Sequence, residues 1–571
     1  MSLNFCLKIA GSAGQGIQTI GGALTKVYSR GGYRIFAHQD YHSRIRGGHN
    51  FFQIKVSKSD RLAVDETLDI VLALNAESVI EHRDELKPHG VVLYDADKCP
   101  EIAPDKKLLN IPLHKLAVSL GGKPVFLSSV AAGAALGMVG FGLELLEDLF
   151  KNSFAQKPEM LEGNLKAAKA GYQYADVHFS SGFPIAFPAG DRQVPAMVIN
   201  GNQAIALGAL AAGCSFYCAY PMSPATGIMA ALAHYEHKCD LFVEQAEDEI
   251  SAVNMALGAS YAGARAMTGT SGGGFALMAE GVSLAGMTET PLVIALAQRP
   301  GPATGLPTRS EQGDLLFSLA AGHGEFPRAV FTPGTAEEAF ELTFKSFNLA
   351  DKYQVPVIIL TDQHLADCYR NPEPFSTRGM VVERFLGGGS DKNDIDYTRY
   401  RITESGVSPR RVPGKTRGLV VVDSDEHTED GHITEDLEIR LKMVDKRLRK
   451  LEGMKKEIVS PKSYGPPVGE ILLMGYGSTY GAIKETVHSL NAAGKAVAAL
   501  HFPQVWPFPV DEIRDLRERY RKIFMVENNA TGQLAWIIRA ETGLEVDGKI
   551  LKYDGRAFTV SYLIEVLHGL L

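Results

Sequence analysis

A multidomain α/β protein is the fold class that this 571-residue chain predicts, and three observations carry the expectation. Short apolar runs ending in glycine or proline alternate with segments apolar at helical spacing, which is the pattern of repeated βα units. Cores stop growing at about 250–300 residues, so a chain of this length divides into roughly three or four compact units. The composition, 45% hydrophobic and 22% charged, is that of an ordinary globular protein.

Residues 4–10 read as a strand that runs into the turn Gly11-Ser12-Ala13-Gly14-Gln15-Gly16. Ile17, Ile20, Leu24 and Val27 then fall on one helical face. Such a turn exposes N–H groups at a helix start and suits an anion, although glycines serve a tight strand-to-helix turn equally well without one. Runs at Asp69–Leu74 and Gly90–Asp95 continue the βα pattern, so residues 1–178 predict one α/β domain with a mostly parallel sheet. Residues 179–196, rich in Pro and Gly, read as a semi-extended linker. A second α/β unit, 197–372, holds the strands Pro291–Leu296 and Pro356–Thr361, and Thr335-Ala336-Glu337-Glu338 between them starts a helix with a capping box. Residues 373–465 lose periodicity and gain charge. Their run from Glu435 to Lys456 predicts a solvated helix of alternating charges, with partner binding as the alternative. The last unit, 466–571, opens on the strand Glu470–Gly475 and continues as βαβ.

The net charge of −8, with no clustered excess of Lys and Arg, argues against a nucleic-acid or membrane-surface role. The N-terminal apolar run is short for a signal peptide and no stretch of about 18 apolar residues occurs, so a cytoplasmic location is expected. The six cysteines are scattered, and the close pair Cys214 and Cys218 lacks companion ligands. No metal site is expected here, and any iron–sulfur chemistry belongs on another chain.

Three segments carry the chemistry. Tyr220-Pro221-Met222-Ser223-Pro224 brackets a hydroxyl between prolines, which suits a preorganised donor to a carboxylate or carbonyl, or else a plain turn. In the helix that follows, Glu247 shares its face with Ser251 and Asn254, whereas Glu249 shares its face with Ala252, Val253 and Ala256. Glu249 is therefore the acid expected to be buried, at a desolvation cost unless it has a dedicated partner. The aminopyrimidine of thiamine diphosphate is such a partner, since its N1′ hydrogen-bonds a glutamate. The plainer account is a first-turn glutamate favoured by the helix dipole. The glycine turn Ser271-Gly272-Gly273-Gly274 completes the thiamine-pyrimidine pattern. Arg299, at the carboxyl end of a strand, stands where open sheets place ligands and can fork onto a carboxylate, while the loop after it adds Thr308 and Arg309.

These segments together with Gly305–Leu315 and Phe331–Ala339 resemble the α subunit of a 2-oxoacid:ferredoxin oxidoreductase. Gly14-Gln15-Gly16 with Arg44-Ile45-Arg46-Gly47-Gly48-His49 resembles that family's γ domain, fused ahead of α as in the 2-oxoglutarate type. The resemblance covers nearly the whole chain. It implies a γ-type domain, a thiamine-diphosphate pyrimidine-type domain and a transketolase C-terminal-like domain, in that order. It further implies coenzyme A-dependent oxidative decarboxylation of a 2-oxoacid, most readily 2-oxoglutarate to succinyl-CoA, with reduction of ferredoxin, or the reverse carboxylation of the reductive TCA cycle. By the same resemblance Glu249 is the pyrimidine glutamate, Ser223, Arg299, Thr308 and Arg309 bind substrate, Tyr220 borders the cofactor, and Gly14, Gly16, Arg44 and Arg46 bind coenzyme A. Here Met222 stands for a common isoleucine, Ala225 for a common serine, and Tyr41-His42-Ser43-Arg44 for a Ser-Tyr-Gly-Pro type of run. No Gly-Asp-Gly with a following Asn occurs, so the Mg²⁺-diphosphate clamp and the [4Fe–4S] cluster are expected in a β subunit, in a dimer of heterodimers. Half of a split thiamine transferase and a non-catalytic nucleotide-binding scaffold are the competing readings.

Overall fold

The strand Asn4–Ala13 is buried on both faces, and its pleat sorts its side chains into two layers. Phe5, Leu7 and Ile9 join one core with the helices Ile17–Arg30, Leu127–Met138 and Pro158–Phe179, while Cys6 joins another with the helix Ala76–His82. This computed structural model describes residues 3–42, 47–121, 124–185, 187–188, 190–191, 193–194, 197–387, 397–415 and 418–570. It divides into two compact units, the first made of residues 1–199, 368–374 and 559–562, the second of the remainder.

In the first unit the sheet order is Leu108–Asn110, Leu86–Tyr94, Leu68–Ala73, Asn4–Ala13, Gly47–Ser57, Arg34–Asp40, Tyr369–Arg370, Ile199–Asn200. The first four strands are parallel. Gly47–Ser57 and Arg34–Asp40, however, form an antiparallel ribbon on the other side of Asn4–Ala13, so the sheet is mixed rather than mostly parallel. The ribbon hid from the periodicity because its longer strand, Gly47–Ser57, is largely buried on both faces, Gln53 and Lys55 included, and does not alternate apolar with polar. Within the segment read as a linker, Phe187 packs on the first core: it stacks on Tyr28 with centroids 5.3 Å apart and meets Phe5 edge-on at 5.2 Å. The paired helices Leu127–Met138 and Pro158–Phe179 touch backbone to backbone, since a Cβ on Gly133 or Gly171 would lie 2.0 Å from a carbonyl oxygen of the other helix.

The second unit holds two sheets. One runs Gln504–Trp506, Ala329–Phe331, Pro356–Asp362, Leu292–Gln298, Ala266–Thr270, Phe216–Ala219, Phe242–Gln245, parallel except for its first strand. The other runs Lys462–Tyr464, Val497–Phe502, Gly469–Tyr476, Tyr520–Glu527, Gly548–Leu551, again parallel except for its first strand. A continuous core joins them, from Ala252 and Phe275 to Ile523 and Ile538. Helix Ala336–Tyr353 starts at the predicted Thr335 cap, whose hydroxyl accepts from Glu338 N at 3.2 Å, but the capping box is not closed: the Glu338 carboxylate accepts from Gly334 N at 2.7 Å, one residue ahead of the cap's own N–H.

The charged run forms the helix Leu437–Lys455, and it is not solvated all round: Met443, Lys446, Arg447, Lys450 and Met454 are buried. Lys446 and Lys450 each lie 2.5 Å from an oxygen of the buried Glu289. Burial alone would raise the Glu289 carboxyl, but Lys450, Lys446 and Arg399 hold it well below the usual carboxylate range. Burial also pushes the Lys450 ammonium down to about 7 against the pull of Glu289. A second buried carboxylate, Asp351, takes Arg265 and Arg410 at 2.9 Å and Arg384 at 3.3 Å. Charges that look solvated in one segment thus find their partners in others more than 150 residues away.

Candidate active site

The second unit assembles its site at the carboxyl ends of four neighbouring strands, Phe242–Gln245, Phe216–Ala219, Ala266–Thr270 and Leu292–Gln298, where an open parallel sheet presents helix starts and loops to a ligand. Asp248 caps the helix Glu249–Tyr261 by accepting from Ser251 N at 2.7 Å, which places Glu249 at the first helical position. Glu247 is exposed and Glu249 is 3% exposed, the burial that the two helical faces predict. Among the described residues no donor meets Glu249 Oε1. The next helix, Gly272–Met287, passes directly against that carboxylate. An ideal Cβ on Gly274 would lie 2.1 Å from Thr270 Oγ1 and 2.4 Å from Glu249 Oε1, so any side chain there would force these two groups to shift.

The loop Tyr220–Pro224 is held at its end from two sides. Arg299 donates from Nη1 to the Ser223 carbonyl at 2.8 Å, and the Asn202 amide donates to the Pro224 carbonyl at 3.0 Å. Thr270 Oγ1 lies 3.9 Å from Met222 Sδ. Tyr220 is exposed. Arg299 therefore grips the backbone of Ser223 and leaves its hydroxyl to other partners. Burial lowers the Arg299 guanidinium from its usual value, while Asp314 and Glu249 pull it back up, which sets the three charges in one electrostatic neighbourhood. Thr308 is buried. Arg309 packs its stem beside Gly555, where an added Cβ would lie 3.1 Å from Arg309 Cβ.

The structure adds Asp314 to the residues the sequence marks. A Cβ on Gly272 would lie 2.4 Å from its Oδ2, no donor among the described residues meets that oxygen, and burial pushes its carboxyl up to about 6 against the pull of Arg299. Two carboxylates, each with one oxygen that no donor among the described residues meets, thus flank the glycine turn, Asp314 on Gly272 and Glu249 on Gly274. Asp314 N donates to Gln298 Oε1 at 2.9 Å. The buried Gln312 beside it donates to Tyr476 O at 2.9 Å and accepts from Asn528 N at 2.9 Å, and Gln533 bonds Gly313 O at 2.7 Å. The C-terminal sheet therefore positions this edge of the site. The signal available in the sequence was the position of Asp314 inside the Gly305–Leu315 segment.

In the first unit Gly14 and Gly16 occupy left-handed backbone at φ +94° and +84°, which glycine adopts without strain. Gly16 caps the helix Ile17–Arg30 without a side-chain bond. Arg44 and Arg46 lie outside the described residues. Also among the described residues, no group of acidic, His and Cys side chains could hold a metal ion, and no helix is long and apolar enough to cross a membrane.

A multidomain α/β fold with a ligand site at the carboxyl ends of an open parallel sheet and a thiamine-diphosphate-binding family match places the chain among thiamine-diphosphate-binding proteins. Residues 207–446 match the family described as pyruvate flavodoxin/ferredoxin oxidoreductase, thiamine diP-bdg; residues 6–174 match pyruvate ferredoxin/flavodoxin oxidoreductase, and residues 469–563 match pyruvate:ferredoxin oxidoreductase core domain II. The chain is 31% identical to 2-oxoacid:ferredoxin oxidoreductase 2, subunit alpha, of Aeropyrum pernix, over 97% of this chain and 96% of that one. It is 30% identical to a 2-oxoglutarate oxidoreductase subunit of Mycobacterium tuberculosis, over 97% and 90%. The 2-oxoglutarate:ferredoxin oxidoreductase of Magnetococcus marinus, solved with 2-oxoglutarate, coenzyme A and succinyl-CoA bound, superposes with a TM-score of 0.91 at 29% identity, covering 99% of both chains. The chain belongs to the 2-oxoacid:ferredoxin oxidoreductase family, as an alpha subunit.

Proposed function

We propose that this chain is the α subunit, with its γ-type domain fused in front, of an oxidoreductase that converts 2-oxoglutarate and coenzyme A to succinyl-CoA and carbon dioxide while reducing ferredoxin, or runs the reverse carboxylation. The observation that carries the reading is the buried Glu249 with an unpartnered oxygen. A buried carboxylate oxygen without a donor is costly, and the pyrimidine N1′ of thiamine diphosphate supplies a donor. When bound, that cofactor provides the electron sink for decarboxylation.

The chain's own residues then have distinct tasks. Glu249 accepts a hydrogen bond and selects the pyrimidine tautomer, and Gly274 leaves room for its carboxylate. Arg299 receives the 2-oxoacid carboxylate and at the same time fixes the Ser223 loop, whose hydroxyl donates to the substrate. Thr308 lines the pocket, Tyr220 borders the cofactor, and Arg309 offers a cation for the distal carboxylate. Gly14 and Gly16, with Arg44 and Arg46, take coenzyme A. A partner β subunit supplies the Mg²⁺-diphosphate clamp and the [4Fe–4S] cluster that passes electrons to ferredoxin, in a cytoplasmic dimer of heterodimers. The relatives named for 2-oxoglutarate support that substrate. A split transferase or a silent scaffold is disfavoured by oxidoreductase relatives spanning nearly the whole chain.

The test is co-expression with the β chain. The complex should be brown and should reduce a viologen when both coenzyme A and 2-oxoglutarate are present, with pyruvate a poorer substrate. Turnover by the isolated chain, or a preference for pyruvate, would overturn the assignment.

A further inference from the structure

Four carboxylates keep a buried oxygen without a well-directed hydrogen bond among the described residues: Asp95, Glu249, Glu289 and Asp314. Asp95 belongs to the first unit. In the second unit the Glu289 oxygen still lies 2.5 Å from the Lys450 ammonium, and Glu249 is the acid read as meeting the pyrimidine. Asp314 remains, and its place is fixed. Asp314 N donates at 2.9 Å to the side chain of Gln298, the residue before Arg299, and the neighbouring Leu315 is fully buried. Gln533 grips the same turn from the other side, donating to Gly313 O at 2.7 Å and accepting from Leu316 N at 2.9 Å. The carboxyl lies flat against the start of the helix Gly272–Met287, since a Cβ on Gly272 would lie 2.4 Å from Oδ2 and 2.7 Å from both Cγ and Oδ1. No N–H of that helix reaches Oδ2.

The charged and titratable groups around Asp314 come from four elements. Arg299 follows the strand Leu292–Gln298, Glu249 opens the helix Glu249–Tyr261 and shares Arg299 with Asp314, Glu311 belongs to the same turn, and Tyr476 ends the strand Gly469–Tyr476. Arg299 is the one cation among them. Burial favours the neutral acid and Arg299 opposes it. Arg299 spends one N–H on the Ser223 carbonyl and is the residue assigned above to the 2-oxoacid carboxylate. A carboxylate on Arg299 neutralises the guanidinium and sets a second anion beside Asp314, and both changes favour the protonated acid. The dipole of the helix Gly272–Met287 favours the anion, but it acts alike before and after binding and leaves the sign of the coupling unchanged. Once protonated, Oδ2 becomes a donor, and the arriving carboxylate is an acceptor. Two carboxyl groups occupy one site by sharing a proton in this way.

We infer that Asp314 is a further substrate-binding acid: as a 2-oxoacid carboxylate engages Arg299, Asp314 takes one proton from solvent and its Oδ2–H donates to that carboxylate. Loss of the carboxylate as carbon dioxide removes the acceptor and the added anion, returns Arg299 to Asp314 as its counter-ion, and releases the proton to solvent, so none is consumed over the cycle. The inference rests on the assignment of Arg299 to the substrate carboxylate and deepens it, pairing the guanidinium with a neutral acid.

The experiment is calorimetric titration of the complex with its β chain, at pH 7, in buffers of differing ionisation enthalpy. The probe is 2-hydroxyglutarate, which keeps both carboxylates and has no oxo group to react. The dependence of heat on buffer gives the protons bound per ligand. A carboxyl at about 6 that binding lifts to between about 7 and 9 takes up about 0.4–0.9 proton at pH 7. Asp314→Asn keeps an N–H donor of the same shape and should bind at least as tightly with no proton uptake, whereas Asp314→Leu should weaken binding at least tenfold. No uptake by the unaltered complex, uptake that persists in Asp314→Asn, or full affinity in Asp314→Leu overturns the inference. Binding that survives Arg299→Ala overturns the substrate reading of Arg299, whereas Arg299-dependent binding without proton uptake overturns only the role of Asp314.

Discussion

Replacing Gly274 by alanine separates the cofactor role of Glu249 from its place in the fold. Residue 274 has ordinary helical backbone, since it is not among the positive-φ glycines, and alanine in a helix interior is worth roughly 0.5–1 kcal/mol over glycine. The added Cβ, however, would sit 2.4 Å from Glu249 Oε1, 2.7 Å from its Cγ and 2.1 Å from Thr270 Oγ1. Restoring van der Waals contact requires the carboxylate to retreat by about 1 Å, and a misplacement of that size can cost about 100-fold in rate. Gly274→Ala is therefore expected to fold, to raise the apparent Kd for thiamine diphosphate, and to lower kcat of the complex by about 100-fold. Gly258→Ala is the companion variant. It lies on the same helix as Glu249, its Cβ would meet nothing within 4 Å, and it should raise Tm slightly with unchanged kcat. The assay is viologen reduction against thiamine diphosphate concentration, with circular dichroism melts of both variants. A folded Gly274→Ala enzyme with wild-type cofactor affinity and kcat would refute the reasoning that links Gly274, Glu249 and the pyrimidine.

Glu249→Gln keeps the size and removes the charge, and should lower kcat by about 100-fold or more; an unchanged kcat removes the assignment. Arg299→Ala deletes a charged hydrogen-bond donor worth about 1.5–3 kcal/mol and should chiefly raise KM for the 2-oxoacid by roughly 10–150-fold, since the binding lost is shared by ground and transition states. Asp314, raised by burial to about 6 from the usual 3.8, has a folded state that favours its neutral form. The stability tied to that form is complete below about pH 3.8 and lost as pH rises through about 6. The ionised carboxyl competes with substrate for Arg299, so KM should fall as pH drops through about 6, and Asp314→Asn should remove that step in a KM-against-pH series. Glu289→Gln leaves Lys446 and Lys450 buried without their anion and should cost about 3–5 kcal/mol in denaturant unfolding; a loss under about 1 kcal/mol would show that the buried pairs do not hold the helix Leu437–Lys455 in place.

The sequence alone determined the features that depend on local chemistry. Strand and helix periods marked the βα units at 4–30, 69–95 and 291–296, because burial of an apolar stripe leaves its spacing in the chain. The helical face of Ala252, Val253 and Ala256 marked Glu249 as the buried acid for the same reason. Tertiary structure decided what depends on distant partners. The charged helix reads as solvated until Glu289 is brought to it from more than 150 residues away, and the ribbon of Arg34–Asp40 and Gly47–Ser57 is buried on faces that alternation cannot reveal. Asp95 carries no pattern at all, and Asp314 none beyond its place in the Gly305–Leu315 segment. Each is one carboxylate among 66 acidic residues, and each becomes distinctive only because folding removes water from one oxygen and supplies no donor in its place. Desolvation is a property of the packed surroundings, so no spacing along the chain encodes it.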